Sequence, residues 1–219
     1  MDEIIFVDKP AGMTSFGVVA RVRRILSEQE GKKVKVGHTG TLDPFATGLL
    51  ILMAGKATKK AMEFTKLDKV YEATIRLGAT SSTGDPEGEI VVKNTTVKYS
   101  RAEIETVLRR FVGKIQQTPP AFSAIKVNGQ RAYKLARAGK EVEMPSRVVE
   151  VYSIDIMDYS APHLKIRTHV SSGTYIRTLA EDIGKALGCG AYCTELRRTK
   201  IANYDIDNLE LFDLSACAK

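Results

Sequence analysis

The seven residues Gly48 to Ala54 carry no polar side chain, and this run most constrains how the chain can fold. It is the longest apolar run in a sequence of 219 residues, whereas a membrane-spanning helix needs about 20 apolar residues. Seven residues suit a strand, and a strand without polar side chains has to be buried. We therefore predict a buried strand at 48–54, in a chain long enough to enclose a continuous core.

The other segments alternate between strand and helix patterns without a regular repeat. Apolar residues occupy every second position of 70–77, which is typical of a half-buried strand. A helix is predicted from Thr14 onward with Ser15 as its N-cap, and another after the capping box of Ser100 and Glu103. Further strands are predicted at 3–7, 148–159 and 164–170, and further helices at 131–138 and 174–187. This order suits an α+β fold with a largely antiparallel sheet, in one large domain or two small ones.

The charge of the chain favours a polyanionic partner. Its net charge is +7 and its pI is about 9.2, so long-range attraction and counterion release would both assist nucleic-acid binding. The start of the chain, Met-Asp-Glu, lacks the basic and then apolar order of a signal peptide. We therefore expect a cytoplasmic protein that binds no membrane and acts as a monomer.

The cysteines and histidines are too dispersed to predict a metal site. Cys189 and Cys193 lie four residues apart, but no second pair of ligands stands near them at metal-binding spacing. Three cysteines are also too few for a disulfide framework. We expect ordinary buried or partly exposed thiols.

Residues 118–147 form a basic segment that allows two interpretations. It opens with two prolines and contains a predicted short helix, and it is either a solvated excursion or an RNA-binding arm. Its basic side chains include Lys126, Arg131, Lys134 and Arg137.

Two further segments hold candidate catalytic side chains. Residues 37–48 read as a tight irregular loop, because the glycines permit unusual backbone angles and Pro44 turns Asp43 away from helical geometry. Arg177 falls in the first turn of a predicted helix, where a cation opposes the helix dipole. A buried carboxylate partner would compensate for that position. The alternative interpretation of the loop is ordinary turn punctuation, and the alternative for Arg177 is an exposed side chain whose long stem escapes the dipole.

These segments, taken together, resemble those of the TruB-type tRNA pseudouridine-55 synthases. The loop Gly37-His38-Thr39-Gly40-Thr41-Leu42-Asp43-Pro44 resembles the signature of that family. Four other motifs match in the same order along nearly the whole chain. They begin at Lys9-Pro10-Ala11-Gly12, Lys69-Val70-Tyr71, Gly173-Thr174-Tyr175-Ile176-Arg177 and Leu196-Arg197-Arg198.

The resemblance implies a role for individual residues. Asp43 matches the catalytic aspartate, Arg177 the arginine that pairs with it, and Tyr71 the tyrosine that stacks on the target base and takes part in proton transfer. The implied substrate contacts come from His38, Leu196, Lys9 and Tyr175. No cofactor or metal is implied, because uridine and pseudouridine are isomers.

The resemblance also implies the pseudouridine synthase fold, as a single domain over residues 1–219 with a mixed, mainly antiparallel sheet. Residues 118–147 would be its thumb-like RNA-binding insertion. Many bacterial members continue into a small C-terminal domain of the PUA type, whereas this sequence stops at Lys219. The implied reaction breaks the N1–C1′ bond of a flipped-out uridine in the T arm of tRNA and rejoins the uracil through C5. Asp43 would attack either C1′ or the uracil C6.

Three alternatives remain open from the sequence. The first is a guide-RNA-dependent relative that works within a protein complex. The second is a non-catalytic RNA-binding module, and the third is a hydrolase that uses Asp43, although a glycosidase normally needs a second carboxylate.

Overall fold

The computed structural model describes residues 2–94, 96–123, 125–127, 129–139 and 142–215. These residues form two compact units. Unit 1 comprises residues up to Tyr71 together with those from Arg197 onward, and unit 2 comprises Glu72–Leu196. The prediction that the whole chain forms a single domain stays a prediction.

Unit 1 contains several strands, one long helix and one short helix. The elements are β1 (Ile4–Lys9), α1 (Ser15–Gln29), β2 (Val36–His38), β3 (Thr47–Ala54), α2 (Ala61–Thr65) and the start of β4 (Lys69–Leu77). A 3₁₀ helix, Gly55–Lys60, connects β3 to α2.

Most of β4 belongs to unit 2, which also contains further strands and two longer helices. The elements that follow are β5 (Ala79–Ser81), β6 (Ile90–Val92), α3 (Arg101–Leu108), β7 (Gly113–Gln117), β8 (Lys126–Val127), β9 (Gln130–Arg131), α4 (Ala132–Arg137), β10 (Arg147–Ser160), β11 (His163–Val170), α5 (Ile176–Ala186) and β12 (Ala191–Ile201). The end of β12 returns to unit 1 and pairs with β13 (Tyr204–Asp205).

The main sheet is mixed, as predicted. In unit 1, β3 lies between β1 and β12; it is antiparallel to β1 and parallel to β12, and β2 pairs with its far end. In unit 2 the strand order is β12-β4-β11-β10-β7, and the pairs β11–β10 and β10–β7 are antiparallel. The predicted α+β class is confirmed.

Strand β3 is continuously apolar because both of its faces are covered. Leu50, Leu52 and Ala54 pack with the buried face of α1, whereas Leu49 and Ile51 pack on the other face with Ile201 and Ile206. The predicted buried strand is therefore confirmed, and it starts one residue earlier, at Thr47.

Other local predictions agree with the structure, with one correction. Alternate residues of β4 are buried, and both bonds of the Ser100–Glu103 capping box are present. The predicted N-cap of α1 was wrong by one residue, because the Thr14 side chain accepts the bond from Gly17 N. Ser15 is instead buried, and its hydroxyl bonds to a distant loop.

Gly48 is required where β3 meets β12. Its φ is +101°, and a Cβ atom there would lie 2.2 Å from the backbone oxygen of Arg198. We expect Gly48→Ala to lower the free energy of unfolding by at least about 3 kcal/mol, since backbone cannot move aside cheaply. Gly31→Ala is the control, because Gly31 also has a positive φ of +63° but has no atom within 4 Å of such a Cβ.

Chemical denaturation of both variants measures the difference. The control should lose about 1 kcal/mol from backbone strain alone. Equal losses in the two variants would show that the close approach to Arg198 is unimportant.

Candidate active site

Asp43 lies half-buried in the loop that joins β2 to β3 in unit 1. The backbone N–H of Ala46 donates to the carbonyl of Asp43 over 3.1 Å, which closes a four-residue turn. Pro44 occupies the second position of this turn, where the fixed φ of proline fits. The sequence Asp43-Pro44 therefore sets the local direction of the chain at the candidate catalytic carboxylate.

Ser15 fixes the residue before Asp43. The Ser15 hydroxyl donates to the carbonyl of Leu42 over 2.9 Å and accepts from the Leu42 N–H over 2.8 Å. Ser15 is only 2% exposed, so water cannot easily compete for these bonds. One side chain thus satisfies both backbone polar groups of Leu42.

Lys9 fixes the residue after Asp43. Its Nζ donates to the carbonyl oxygens of Pro10, Met13 and Pro44 at 2.8, 2.6 and 3.1 Å. These three acceptors match the three protons of an ammonium group, which explains how a fully buried lysine is tolerated. The predicted contact of Lys9 with substrate stays a prediction, and its observed bonds support both the N-terminal motif and the Asp43 loop.

Arg198 connects the start of the same loop to β3, the strand that follows it. Its Nε donates to the carbonyl of Leu49 over 2.8 Å, and its Nη2 donates to that of Gly40 over 3.1 Å. The side chain is 1% exposed and is the largest fully buried one in the part of the chain that the structure describes. The loop is therefore held near its start by Arg198 and beside Asp43 by Ser15 and Lys9.

Tyr71 and His38 are the other predicted site residues of unit 1. Tyr71 lies on the buried face of β4 and is 8% exposed. His38 is half-buried and ends β2, directly before the loop. Their roles toward a substrate stay predictions.

Lys69 lies two residues before Tyr71 and is buried at the start of β4. Its Nζ donates to the carbonyls of Thr65, over 2.8 Å, and Leu67. Burial, and to a smaller extent the nearby positive charge of Arg198, lower the pKa of Lys69 from 10.5 to about 8, against the opposite effect of Asp68. Lys69 therefore attaches β4 to the end of α2 at an electrostatic cost.

Arg177 is the central cation of unit 2. It is the second residue of α5 and is 3% exposed. Its Nη1 donates to Asp85 Oδ2 over 2.9 Å and to the Thr83 carbonyl over 2.8 Å, while Nη2 donates to the Phe122 carbonyl over 2.8 Å. The buried carboxylate partner that its helix position called for is thus present, in the form of Asp85.

The Asp85 carboxylate is itself fixed by its own turn. Its Oδ1 accepts from the hydroxyl of Thr83 over 2.6 Å and from the N–H of Glu87 over 3.0 Å. Burial also raises the pKa of the neighbouring Glu181, although Lys185 and Arg177 oppose that shift. Asp85 was missed from the sequence, where its only signal is a second Asp-Pro pair at Asp85-Pro86.

Residues 118–147, the predicted thumb-like insertion, begin and end next to the Arg177 motif. Its two ends join at the paired residues Gln117 and Arg147 of β7 and β10. The Gln117 side chain bonds to both backbone groups of Tyr175, at 2.8 and 3.0 Å. The Arg147 guanidinium lies 5.1 Å from the centre of the Tyr175 ring and donates to the Gly173 carbonyl. These contacts fix Tyr175, whose predicted contact with substrate stays a prediction.

The predicted RNA-binding residues of the insertion lie on a small hairpin and a short helix. Strands β8 and β9 pair and lead directly into α4, and the Arg131 and Lys134 side chains are exposed. Lys126 and Arg137 belong to β8 and α4, but their side chains lie outside the described residues. Leu196, the predicted uracil-pocket residue, is 7% exposed on β12.

The structure brings several predicted residues together within each unit. In unit 1, Lys9 bonds to the Asp43 loop, and in unit 2, Arg177 and Tyr175 share one motif tied to the insertion. Asp43 and Arg177 belong to different units, and their pairing stays a prediction. Within the described residues, no three His, Cys, Asp or Glu side chains are grouped to hold a metal ion, and no helix is long and apolar enough to cross a membrane.

Comparison with known proteins assigns the fold first. A chain in the crystal structure of a Cbf5-Nop10-Gar1 complex matches 92% of this chain with a TM-score of 0.71 and 32% identity, over 49% of its own length. A chain of an H/ACA RNP bound to a substrate RNA containing 2′-deoxyuridine matches 92% with a TM-score of 0.67 and 29% identity, over 48% of its length. The fold is that of the pseudouridine synthases.

The sequence then identifies the family. Residues 23–176 match the TruB family pseudouridylate synthase N-terminal domain, and residues 177–219 match the tRNA pseudouridylate synthase B C-terminal domain. The chain is 46% identical to tRNA pseudouridine synthase B of Cupriavidus pinatubonensis, covering 96% of this chain and 66% of the relative. The same enzyme of Phocaeicola vulgatus is 46% identical, with coverages of 94% and 88%. The chain belongs to the TruB family.

The first of these relatives is longer than this chain, which spans just under two thirds of its length. The Phocaeicola relative is covered almost throughout. The family therefore includes chains of different lengths.

The Asp85–Arg177 pair generates a prediction about stability and turnover. Asp85→Asn keeps the shape of the side chain but removes the negative charge that contacts the buried Arg177 guanidinium. We expect the free energy of unfolding to fall by about 3 kcal/mol. Because Arg177 would also lose its fixed position, we expect pseudouridine formation to slow by about 10- to 100-fold.

Asp182→Asn is the matched control for that variant. Asp182 lies on the same helix and pairs with Lys185, but the Lys185 side chain is 74% exposed. Its loss should change stability by less than about 1 kcal/mol. If the two variants had the same stability and the same turnover, Asp85 would have no role in the candidate site.

The lowered pKa of Lys69 generates a prediction about pH. Between pH 8 and 10.5 the unfolded chain keeps a Lys69 proton that the folded chain has lost. Stability therefore rises with pH across this window, by on the order of 2 kcal/mol. The free energy of unfolding is measured by denaturation for wild type and for Lys69→Met at several pH values. Wild type should gain this stability with rising pH relative to Lys69→Met, which has no group that titrates at this position. A difference that stays constant with pH would contradict it.

Proposed function

We propose that this chain is a stand-alone tRNA pseudouridine synthase that isomerises uridine 55 of the T loop. The observation that carries the proposal is the Asp43 loop, which buried donors on both sides hold in place within a chain of the TruB family. Relatives at 46% identity are named tRNA pseudouridine synthase B, which supports tRNA as the substrate class. The proposed setting is the cytoplasm, and the proposed acting form is a monomer.

In the proposed reaction Asp43 is the nucleophile. The N1–C1′ bond breaks, the uracil turns within its pocket, and a C5–C1′ bond forms. The C5 proton is then lost to solvent while N1 takes up a proton, so atoms balance and no redox partner is needed. A carboxylate whose loop is already fixed avoids the entropic cost of ordering it during the reaction.

Arg177 and Tyr71 complete the proposed catalytic set. A guanidinium close to Asp43 would keep the carboxylate ionised, because a nearby positive charge favours the charged form. The aromatic ring of Tyr71 would stack on the flipped uracil and assist proton transfer. Flipping the base out of its loop costs roughly a few kcal/mol, which phosphate contacts and stacking would offset.

We propose different roles toward the substrate for four further residues, His38, Leu196, Lys9 and Tyr175. His38 and Leu196 would contact the T loop and the uracil, and Tyr175 would line the site next to Arg177. For Lys9 we propose an indirect role, because its ammonium group already donates hydrogen bonds to three backbone carbonyls.

A guide-dependent enzyme is the second candidate. The structural neighbours at 29–32% identity come from H/ACA and Cbf5 complexes. The stand-alone form is favoured because the more similar relatives, at 46–48% identity, are all named as tRNA enzymes.

Asp43→Asn tests the proposed chemistry. Asparagine keeps the loop geometry but is a poor nucleophile, so turnover should fall below detection. RNA affinity should stay within about tenfold of wild type, because positioning contacts are made mostly to phosphates. The measurement is tritium release from tRNA labelled at uracil C5, with fluorescence binding of the same RNA.

The outcomes separate the alternatives. Release by wild type without added RNA guide or protein supports the stand-alone isomerase. Free uracil as the product would indicate a hydrolase, and bound but unchanged RNA would indicate a binding module. Equal turnover by Asp43→Asn would exclude Asp43 as the nucleophile.

Charge reversal at Arg131 and Lys134 tests the proposed thumb. Both side chains are exposed, so their replacement by Glu should weaken RNA binding without unfolding the protein. The slope of log affinity against log salt should flatten by about two. Reversal at Arg109 and Arg110, which are also exposed, is the control. A salt slope equal to that of this control would remove the thumb from the RNA interface.

A further inference from the structure

Six exposed lysines form a second basic surface, which belongs to unit 1. We call it the lysine surface. It comprises the residues just before β2 and those of the 3₁₀ helix after β3, which in sequence are Lys32, Lys33, Lys35, Lys56, Lys59 and Lys60.

The strand pairing brings these two segments together. Val36 pairs with Ala54 at the end of the β2–β3 ladder, and the N–H of Gly55 then donates to the carbonyl of Lys35 over 2.8 Å. Lys35 and Lys56 are therefore neighbours across the end of the sheet. Residues 31–35 and 55–60 together hold six lysines and no acidic residue.

Carboxylates elsewhere in the described chain compensate little of this charge. Lys32 lies 4.0 Å from Glu30, and Lys56 lies 3.9 Å from Asp2, which are the only two ion pairs described for these lysines. Both lysine side chains are more than 70% exposed, so such pairs contribute little. No ion pair with a described carboxylate involves Lys33, Lys35, Lys59 or Lys60.

The lysine surface has no evident part in holding the fold. All six side chains are exposed, whereas the structural lysines of this unit, Lys9 and Lys69, are buried with their protons on carbonyls. Clustered like charges repel one another in the free protein, and a polyanion relieves that repulsion on binding. The arrangement therefore fits a phosphate backbone better than a single small anion.

The lysine surface lies next to the start of β2, the strand that leads into the Asp43 loop. Lys35 precedes His38 by three residues of extended chain, which span about 10 Å. An RNA strand that has its target base at the loop would continue within reach of Lys35. Other lysines of the surface then extend the same positive field away from the loop.

We propose that the lysine surface binds backbone phosphates of the substrate tRNA while the target loop occupies the active site. This inference rests on the proposed function for the identity of the RNA. The surface contributes affinity and association rate, since phosphate contacts position an RNA without reading its bases. It takes no part in the bond changes, so its loss affects KM and leaves kcat unchanged.

A matched pair of variants tests the proposal. In the surface variant, Lys33, Lys35, Lys59 and Lys60 are changed to Gln. In the control variant, four exposed basic residues of unit 2 are changed to Gln, which gives the same change in net charge: Lys93, Lys98, Arg110 and Lys185. Full-length tRNA binding is measured from about 0.05 to 0.3 M salt, together with tritium release and thermal unfolding.

We expect the surface variant to bind tRNA roughly tenfold more weakly than the control near 0.15 M salt, with a salt slope reduced by about two to four. Its kcat and melting temperature should equal those of wild type. Affinity and slope equal to those of the control would overturn the proposal. So would unchanged tRNA binding together with lost binding to phosphatidylserine–phosphatidylcholine vesicles, which would assign the surface to a membrane.

The binding measurement does not depend on turnover. If wild type released no tritium, the proposed isomerase would fail. The difference in tRNA affinity between the two variants would still decide the role of the lysine surface.

Discussion

The structure around the candidate active site depends on how a loop without secondary structure satisfies its backbone polar groups. The prolyl residue after Asp43 and the glycines before it prevent a regular strand or helix, so side chains must supply the missing partners. Two buried cations, Lys9 and Arg198, donate to carbonyls of this loop, and Ser15 serves both groups of Leu42. Each buried charge would be costly alone, but carbonyl oxygens replace the water that it gives up. The loop and its donors therefore stabilise one another, and Asp43 is held where they meet.

Unit 2 is organised by one guanidinium in a comparable way. Arg177 joins the Asp85 turn, the carbonyl of Thr83 and the carbonyl of Phe122 at the base of the insertion. The insertion that is proposed to grip RNA is thus bonded directly to the arginine that is proposed to assist catalysis. A shift of the insertion at Phe122 would change the position of the Arg177 guanidinium, because the two are joined by a hydrogen bond. Binding and chemistry would then share a structural element in unit 2.

Local patterns predicted local structure well. The apolar run became β3, and the alternation in β4 and the Ser100–Glu103 box appeared as expected, because neighbouring residues determine each of them. The partners of the site were not predictable in this way. Asp85 and Arg177 are 92 residues apart, and Lys9 and Pro44 are 35 apart, so only the tertiary fold brings them together. The misplaced N-cap has the same origin, since Ser15 resembles a cap but its hydroxyl is used by Leu42. The resemblance to TruB enzymes found the motifs without showing that Lys9 and Arg198 act on the loop.

The central claim is that the Asp43 loop is already rigid before RNA binds, and amide hydrogen exchange at Leu42 tests it most directly. The Leu42 N–H donates to the buried hydroxyl of Ser15. It should therefore exchange slowly in the free protein, change little when tRNA is added, and exchange much faster in Ser15→Ala. Amides of α3 provide the internal reference for global stability. Fast exchange at Leu42 in free wild type, slowed only by tRNA, would contradict the claim and show that RNA orders the loop.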